Sequence, residues 1–323
     1  MIAIVLIALA AGCASALMFA SIISGALISL VLFYLAPLPL MVAAIGWGPL
    51  SATIGGIAAA IGLGALFGLP YCVAYAMTVA LPAWWLGHLA LLGRPIANAS
   101  AGNGAAAVAP AMEWYSTGRI LLWIAGFAAL TTIAAMLTLG TDATAIVATM
   151  KRGLLRILGS RETSLSADLE RVIDALVIIA PWAAAIMAMM TLTINLWLAA
   201  RITATSGRLQ RSWPDLKSTT LPPMTLVALC VAIAFCFTGG LLSMFAQIAT
   251  AALLMAYALI GFAVLHTLTL PLRSRAIWLG CTYAVVVVFS WPVSAMVVLG
   301  LLDAIFGLRE RFLRTRPPPL PAA

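Results

Sequence analysis

Apolar residues run from position 1 to position 93 without a single Asp, Glu, Lys or Arg, and charge-free runs return over 120–141, 175–200, 218–272 and 276–302. A stretch of the first length without a formal charge does not stay soluble as a folded domain, whereas an ionised side chain at a bilayer centre costs about 3 kcal/mol or more. The charged positions therefore map a lipid boundary. A helix needs about 20 residues to cross roughly 30 Å of hydrocarbon, which gives the first run room for four crossings. Turn-like interruptions at 21–25, at Trp47-Gly48-Pro49 and at Gly68-Leu69-Pro70 divide it into helices near 2–20, 22–46, 49–67 and 71–92, the second kinked at Pro37 and Pro39. Later helices are expected near 119–140, 173–200, 222–238, 241–269 and 277–306. The predicted fold is all-α, a polytopic integral membrane bundle of about nine transmembrane helices. Reading Gly239-Gly240 as a kink lowers the count to eight, and splitting the last segment at Trp291-Pro292 raises it to ten. A transmembrane domain over 1–308 is then followed by a basic, Pro-rich tail at 309–323, whose close, Arg316-Pro317-Pro318-Pro319-Leu320-Pro321, has polyproline character.

Two hydrophilic segments interrupt this pattern. The segment 95–118, rich in Ala, Gly, Asn and Ser, reads as a flexible connection ending in Glu113-Trp114-Tyr115, an interfacial anchor. Over 142–174, Ile146, Val147, Met150, Leu154, Leu155, Ile157 and Leu158 alternate at helical spacing with Lys151, Arg152, Arg156 and Arg161, which predicts one amphipathic helix on the membrane surface. The acids that follow, Glu162, Asp168, Glu170 and Asp174, are candidate partners for these bases.

Composition agrees: 64% hydrophobic and 8% charged residues lie far from the quarter or so of charged residues usual in soluble domains. The net charge of +8, with Arg supplying most of the basic residues, is the surplus expected of cytoplasmic loops facing anionic lipid rather than of a nucleic-acid binder. A cytoplasmic N-terminus puts Arg94 and Arg119, the loop Arg201, Arg208, Arg211 and Lys217, and the pair Arg273 and Arg275 inside. It leaves Lys151, Arg152, Arg156, Arg161 and Arg171 outside, and a tenth crossing, made by bending the last segment at Pro292, returns Arg309, Arg311, Arg314 and Arg316 to the cytoplasm; a cytoplasmic tail is the expected arrangement. The five cysteines, Cys13, Cys72, Cys230, Cys236 and Cys281, lie in apolar runs without a CxxC pair and read as small packing residues. Leu9-Ala10-Ala11-Gly12-Cys13 has the outline of a lipoprotein processing box. Only Met1-Ile2-Ala3 precedes the apolar run, however, and with no basic n-region a first membrane helix is the expected reading.

Candidate chemistry is sparse. There is no HExxH, GxSxG or phosphate loop, and His88 and His266 are far apart, so neither an enzyme, a metal site nor a cofactor is expected. Polar groups inside the apolar runs are the candidate ligand contacts: Tyr71, Tyr75, Asn195, and Gln247 one turn beyond Ser243. The same residue types also serve as interhelical hydrogen-bond glue. Asp303, at the end of the last run, is expected to be a partnered structural charge. Gly56, Ala60, Gly64 and Gly68 recur every four residues, as do Ala10 and Ala14, and such faces allow close helix packing or the docking of a partner subunit.

The order of motifs resembles a known family. Leu38-Pro39-Leu40-Met41, Gly48-Pro49, Asn195-Leu196-Trp197 with Arg201, and above all the closing Gly300, Leu301, Asp303, Phe306 and Arg309 resemble the YybS-like family, bacterial integral membrane proteins built on a domain of unknown function. The N-terminal part of that family, here about 1–140, is similar to the S components of energy-coupling-factor vitamin transporters, which have about six helices and meet a coupling subunit through small residues of their first helix. The resemblance implies a multi-pass protein of the bacterial inner membrane, related to transport, binding a small apolar or vitamin-like solute and working with membrane partners. A membrane scaffold acting through helix faces and basic loops is the alternative.

Overall fold

The computed structural model describes residues 2–96, 111–157, 167–214, 219–289 and 291–314. The polyproline close, Arg161, Glu162, Asp215 and Lys217 lie outside them. The chain folds as two compact units. Unit 1 is Met1–Phe127 with Met190–Trp213, and unit 2 is Ala128–Met189 with Pro214–Ala323.

Unit 1 begins with α1 (Ile2–Ala20), a single turn of 3-10 helix and then α2 (Leu27–Leu35) and α3 (Pro37–Trp47). The expected kink falls at Ala36, which keeps helical dihedrals (φ −54°, ψ −35°) where Pro37 and Pro39 bring no N–H to the carbonyls a turn earlier, so Leu27–Trp47 remains one span. Gly48, at φ +96°, turns the chain into α4 (Pro49–Phe67), and Gly68, at φ +92°, turns it into α5 (Leu69–Tyr75). A proline follows each within two residues, where a helix start tolerates one. The helix widens into a π turn over Ala76–Ala80, just before Pro82, and continues as α6 (Leu81–Leu91).

Helices α1 and α4 cross so closely that a Cβ on Gly12 would collide with the carbonyl of Gly55, and one on Gly55 with the carbonyl of Ala8. Only glycine allows that approach. Where the sequence reads a flexible connection, β1 (Gly93–Ile96) pairs antiparallel with β2 (Ala111–Trp114), and Arg94 faces Glu113. The hairpin is short and contains Pro95, so no strand periodicity announces it. It leads into α7 (Thr117–Leu137), which ends in unit 2.

In unit 2 the expected amphipathic helix is α8 (Ala143–Ile157), capped by Asp142, whose Oδ1 accepts the N–H of Ala145 at 2.8 Å. Its apolar face packs on protein: Ile146 joins Met136, Ala185 and Ile248, while Leu155 joins Ile173 and Val177. Lys151 reaches Asp174 at 2.8 Å and Glu170 at 3.3 Å, as the sequence suggested, and Asp168 pairs with Arg171. Helix α9 (Ala167–Thr205) has 39 residues, about 58 Å, and so runs well beyond a hydrocarbon core. Its last part belongs to unit 1.

Then come α10 (Met224–Phe235), α11 (Gly240–Leu268), α12 (Arg275–Phe289), α13 (Val293–Phe306) and α14 (Leu308–Arg314). Among the described residues, seven helical segments have the length and apolar composition to cross a membrane, and α10, α12 and α13 are shorter apolar helices. The expected helices near 222–238 and 277–306 account for the difference. The first stops at Phe235 after 12 residues, about 18 Å, and Gly239 and Gly240, both with positive φ, turn the chain into α11; Trp291-Pro292 divides the second. Helices α11 and α13 cross as tightly as α1 and α4: a Cβ on Gly261 would strike the Met296 carbonyl, and one on Gly300 that of Tyr257.

Candidate functional site

Buried polar side chains from three helices bond around the junction of α2 and α3, while Ser51 and Thr203 of unit 1 are buried and bonded elsewhere. Ser15 Oγ donates to the Ala36 carbonyl at 2.6 Å, and Tyr75 Oη–H donates to Ser15 Oγ at 2.8 Å. Asn195 Nδ2 donates to the Tyr34 carbonyl at 2.8 Å and to its own helix at Thr191, at 2.7 Å. Phe19 packs between the rings of Phe33 and Tyr75. Two of the expected ligand contacts, Tyr75 and Asn195, are thus brought to one place. They are 0% and 1% exposed and their donors are used between helices, so they act as interhelical glue. Asn195 keeps one buried acceptor, Oδ1, without a partner among the described residues. Ser15, which links Tyr75 to the junction, was not singled out from sequence; a lone serine in an apolar helix was its only signal.

Of the other two candidates, Tyr71 stands one helical turn before Tyr75 on α5. Tyr71 is half-buried against the ring of Phe67. Gln247 belongs to unit 2, is exposed, and donates to Ser243 Oγ at 3.3 Å, which itself donates to the Cys236 carbonyl at 2.6 Å. That chain ties the α10–α11 break.

The small-residue faces separate as well. Gly56 and Ala60 are buried, with Gly56 against Ala80, and Gly64 lies against Cys72. Gly68 is exposed and serves as the positive-φ turn between helices instead of a packing contact. On α1 the inward face is Ala8, Gly12, Ser15 and Phe19. Ala10 and Ala14 are exposed on the remaining surface of that helix.

Asp303 is partnered as expected. Its Oδ2 accepts Arg309 Nη2 at 2.7 Å and Nε at 2.9 Å, and its Oδ1 accepts the Arg309 backbone N–H at 2.9 Å. Gly307, at φ +63°, makes the turn that brings α14 back onto the end of α13. The closing motif is thus a structural clasp: Gly300 permits the crossing with α11, and Asp303 and Arg309 lock the turn. Beside the clasp opens a cleft of about 570 Å³, bordered by Thr220, Pro223, Tyr257, Phe306, Glu310 and Arg314.

Arginines gather at one end of unit 1. Arg211 donates to Thr117 Oγ1 at 3.2 Å and to the Ala90 carbonyl at 3.5 Å, joining the end of α6 to the start of α7. Burial pushes its guanidinium below the usual arginine value. Arg208 lies 4.6 Å over the ring of Trp47, Arg201 5.4 Å over Trp213, and Arg119 5.9 Å over Tyr115.

Helices of this length and apolarity, breaks satisfied by side chains from neighbouring helices, and charge held at helix ends define a polytopic helical membrane protein. The family described as "Predicted membrane protein (DUF2232)" matches residues 13–304, and the chain belongs to it. No curated protein and no solved structure matches the chain.

Proposed function

We propose that this protein is related to membrane transport: it binds a small apolar or vitamin-like solute among its helices and acts through partner subunits, having no phosphate loop of its own. The observation that carries this reading is the exposure of Ala10 and Ala14 on a helix whose opposite face is locked against α4. The S-component resemblance assigns such residues to the contact with a coupling subunit. Six of the seven long apolar segments place all or part of their length in unit 1, which is consistent with the helix number of that class. The alternative, a scaffold without a solute, is favoured by the use of Tyr75 and Asn195 in interhelical hydrogen bonds.

One experiment separates the two. Extra volume in a tight contact costs about 1 to 3 kcal/mol, enough to weaken a complex by roughly tenfold. Ala10→Leu with Ala14→Leu is expected to abolish co-purification of a partner while the protein itself stays folded, and native mass spectrometry of the unsubstituted protein is expected to find a small apolar ligand. Loss of the partner without any ligand would select the scaffold. A ligand-free protein indifferent to the double substitution would end the transport reading.

A further inference from the structure

Five arginines, Arg94, Arg119, Arg201, Arg208 and Arg211, stand at one end of unit 1 with one described carboxylate, Glu113, which Arg94 already holds at 2.6 Å. The other four have no carboxylate partner among the described residues. Their contacts show that they share one end: Arg208 covers Trp47 at the close of α3, and Arg211 bridges Ala90 at the close of α6 to Thr117 at the start of α7, two residues from Arg119. Arg211 is half-buried, and both groups it bonds are neutral. A cation withdrawn from water without a counter-charge is costly, and an anion arriving beside it removes that cost.

The kind of anion follows from the cations and their setting. A guanidinium offers a planar fork that matches the oxygens of a phosphate and sheds water more readily than an ammonium. Arg119, Arg201 and Arg208 each lie over a Tyr or Trp ring, the side chains that collect at headgroup depth in a bilayer, and the helices that leave this end are charge-free for a full crossing. A phosphate held here would sit with apolar helix surface directly beneath it, which suits a group attached to acyl chains better than a free ion. We propose that this end of unit 1 is a binding site for the phosphate headgroup of an anionic phospholipid, contacted by Arg119, Arg208 and Arg211.

The full chain, purified in neutral detergent, is mixed with equal amounts of phosphatidylglycerol and phosphatidylcholine and examined by native mass spectrometry. Retention of phosphatidylglycerol over phosphatidylcholine is expected, and Arg208→Gln with Arg211→Gln should reduce that retention by about thirtyfold, the effect of two interfacial basic residues. Because Arg211 also ties α6 to α7, Arg119→Gln with Arg208→Gln serves as a second variant that leaves this tie intact. Arg152→Gln with Arg156→Gln, on the exposed side of α8, should change nothing. Equal retention of the two lipids, or an equal loss from the α8 variant, would overturn the site. Displacement of the lipid by inorganic phosphate at matched concentration would reassign it to a soluble phosphate.

Discussion

Removing the carboxylate of Asp303 leaves Arg309 charged in a place that water barely reaches. The two side chains are 5% and 4% exposed, and the Asp303 carboxylate receives three hydrogen bonds from Arg309, two from the guanidinium and one from the backbone. Truncating one member of such a pair costs about 3 to 5 kcal/mol, mainly because the remaining charge loses its counter-charge, whereas replacing both by apolar groups of similar volume is often close to neutral. Asp303→Leu is therefore expected to destabilise by about 3 to 5 kcal/mol, and Arg309→Met by a similar amount. The double variant should recover most of the loss. The recovery stays incomplete because the N–H of Arg309 also loses its acceptor, an effect of about 1 to 3 kcal/mol. Denaturant unfolding of the four proteins in one detergent, followed by tryptophan fluorescence, gives the coupling free energy from the double-mutant cycle. If the two single losses simply add in the double variant, or if Asp303→Leu unfolds at the original midpoint, the clasp is not what holds the α13–α14 turn.

Topology gives a second prediction. The loop after α9 and the tail beyond Arg309 hold most of their charge as arginine, so alkaline phosphatase fused at Ser212 or after Arg314 should be inactive, as cytoplasmic fusions are; strong activity at either point would reverse the orientation of that segment. The third concerns acid. Hydrogen bonds from the Thr144 hydroxyl and the Ala145 N–H hold the Asp142 carboxyl below the usual aspartate value, so its support of α8 is complete above that value and is lost only as pH falls through the lowered one. Amide exchange over 143–150 should accelerate in that strongly acid window, and Asp142→Ala should remove the pH dependence; an unchanged profile in the variant would refute the cap.

The membrane class, the first four crossings and their breaks could be read from charge and from Gly-Pro punctuation, because lipid penalises charge so heavily that its absence is a direct signal. Pair geometry was less accessible. Ala10 and Ala14 repeat at the same interval as Ala8 and Gly12, and spacing alone does not tell which of two neighbouring faces turns inward. Nor does it separate Gly56, packed against Ala80, from Gly68, which spaces equally well but serves as a turn. The hairpin at Gly93–Ile96 and Ala111–Trp114 was invisible because four-residue strands are set by a register, Arg94 opposite Glu113, that only a folded chain defines.

The polar residues inside the bundle follow from where the helices fail. Each proline pair or glycine pair that interrupts a helix leaves backbone carbonyls without their usual donors, and hydrocarbon supplies none. Ser15 and Asn195 donate to the carbonyls of Ala36 and Tyr34 beside the Pro37-Pro39 kink, and Ser243 donates to the Cys236 carbonyl at the end of α10. In the sequence these polar side chains and the helix irregularities are separate features; the fold sets Ser15, Asn195 and Ser243 beside them. Tyr75 extends the arrangement by one hydrogen bond, to Ser15. A solute site built on Tyr75 would have to take over the bond that holds α5 to α1, and one built on Asn195 the bond that holds α9 to α2, so solute entry there would be coupled to loosening of those contacts.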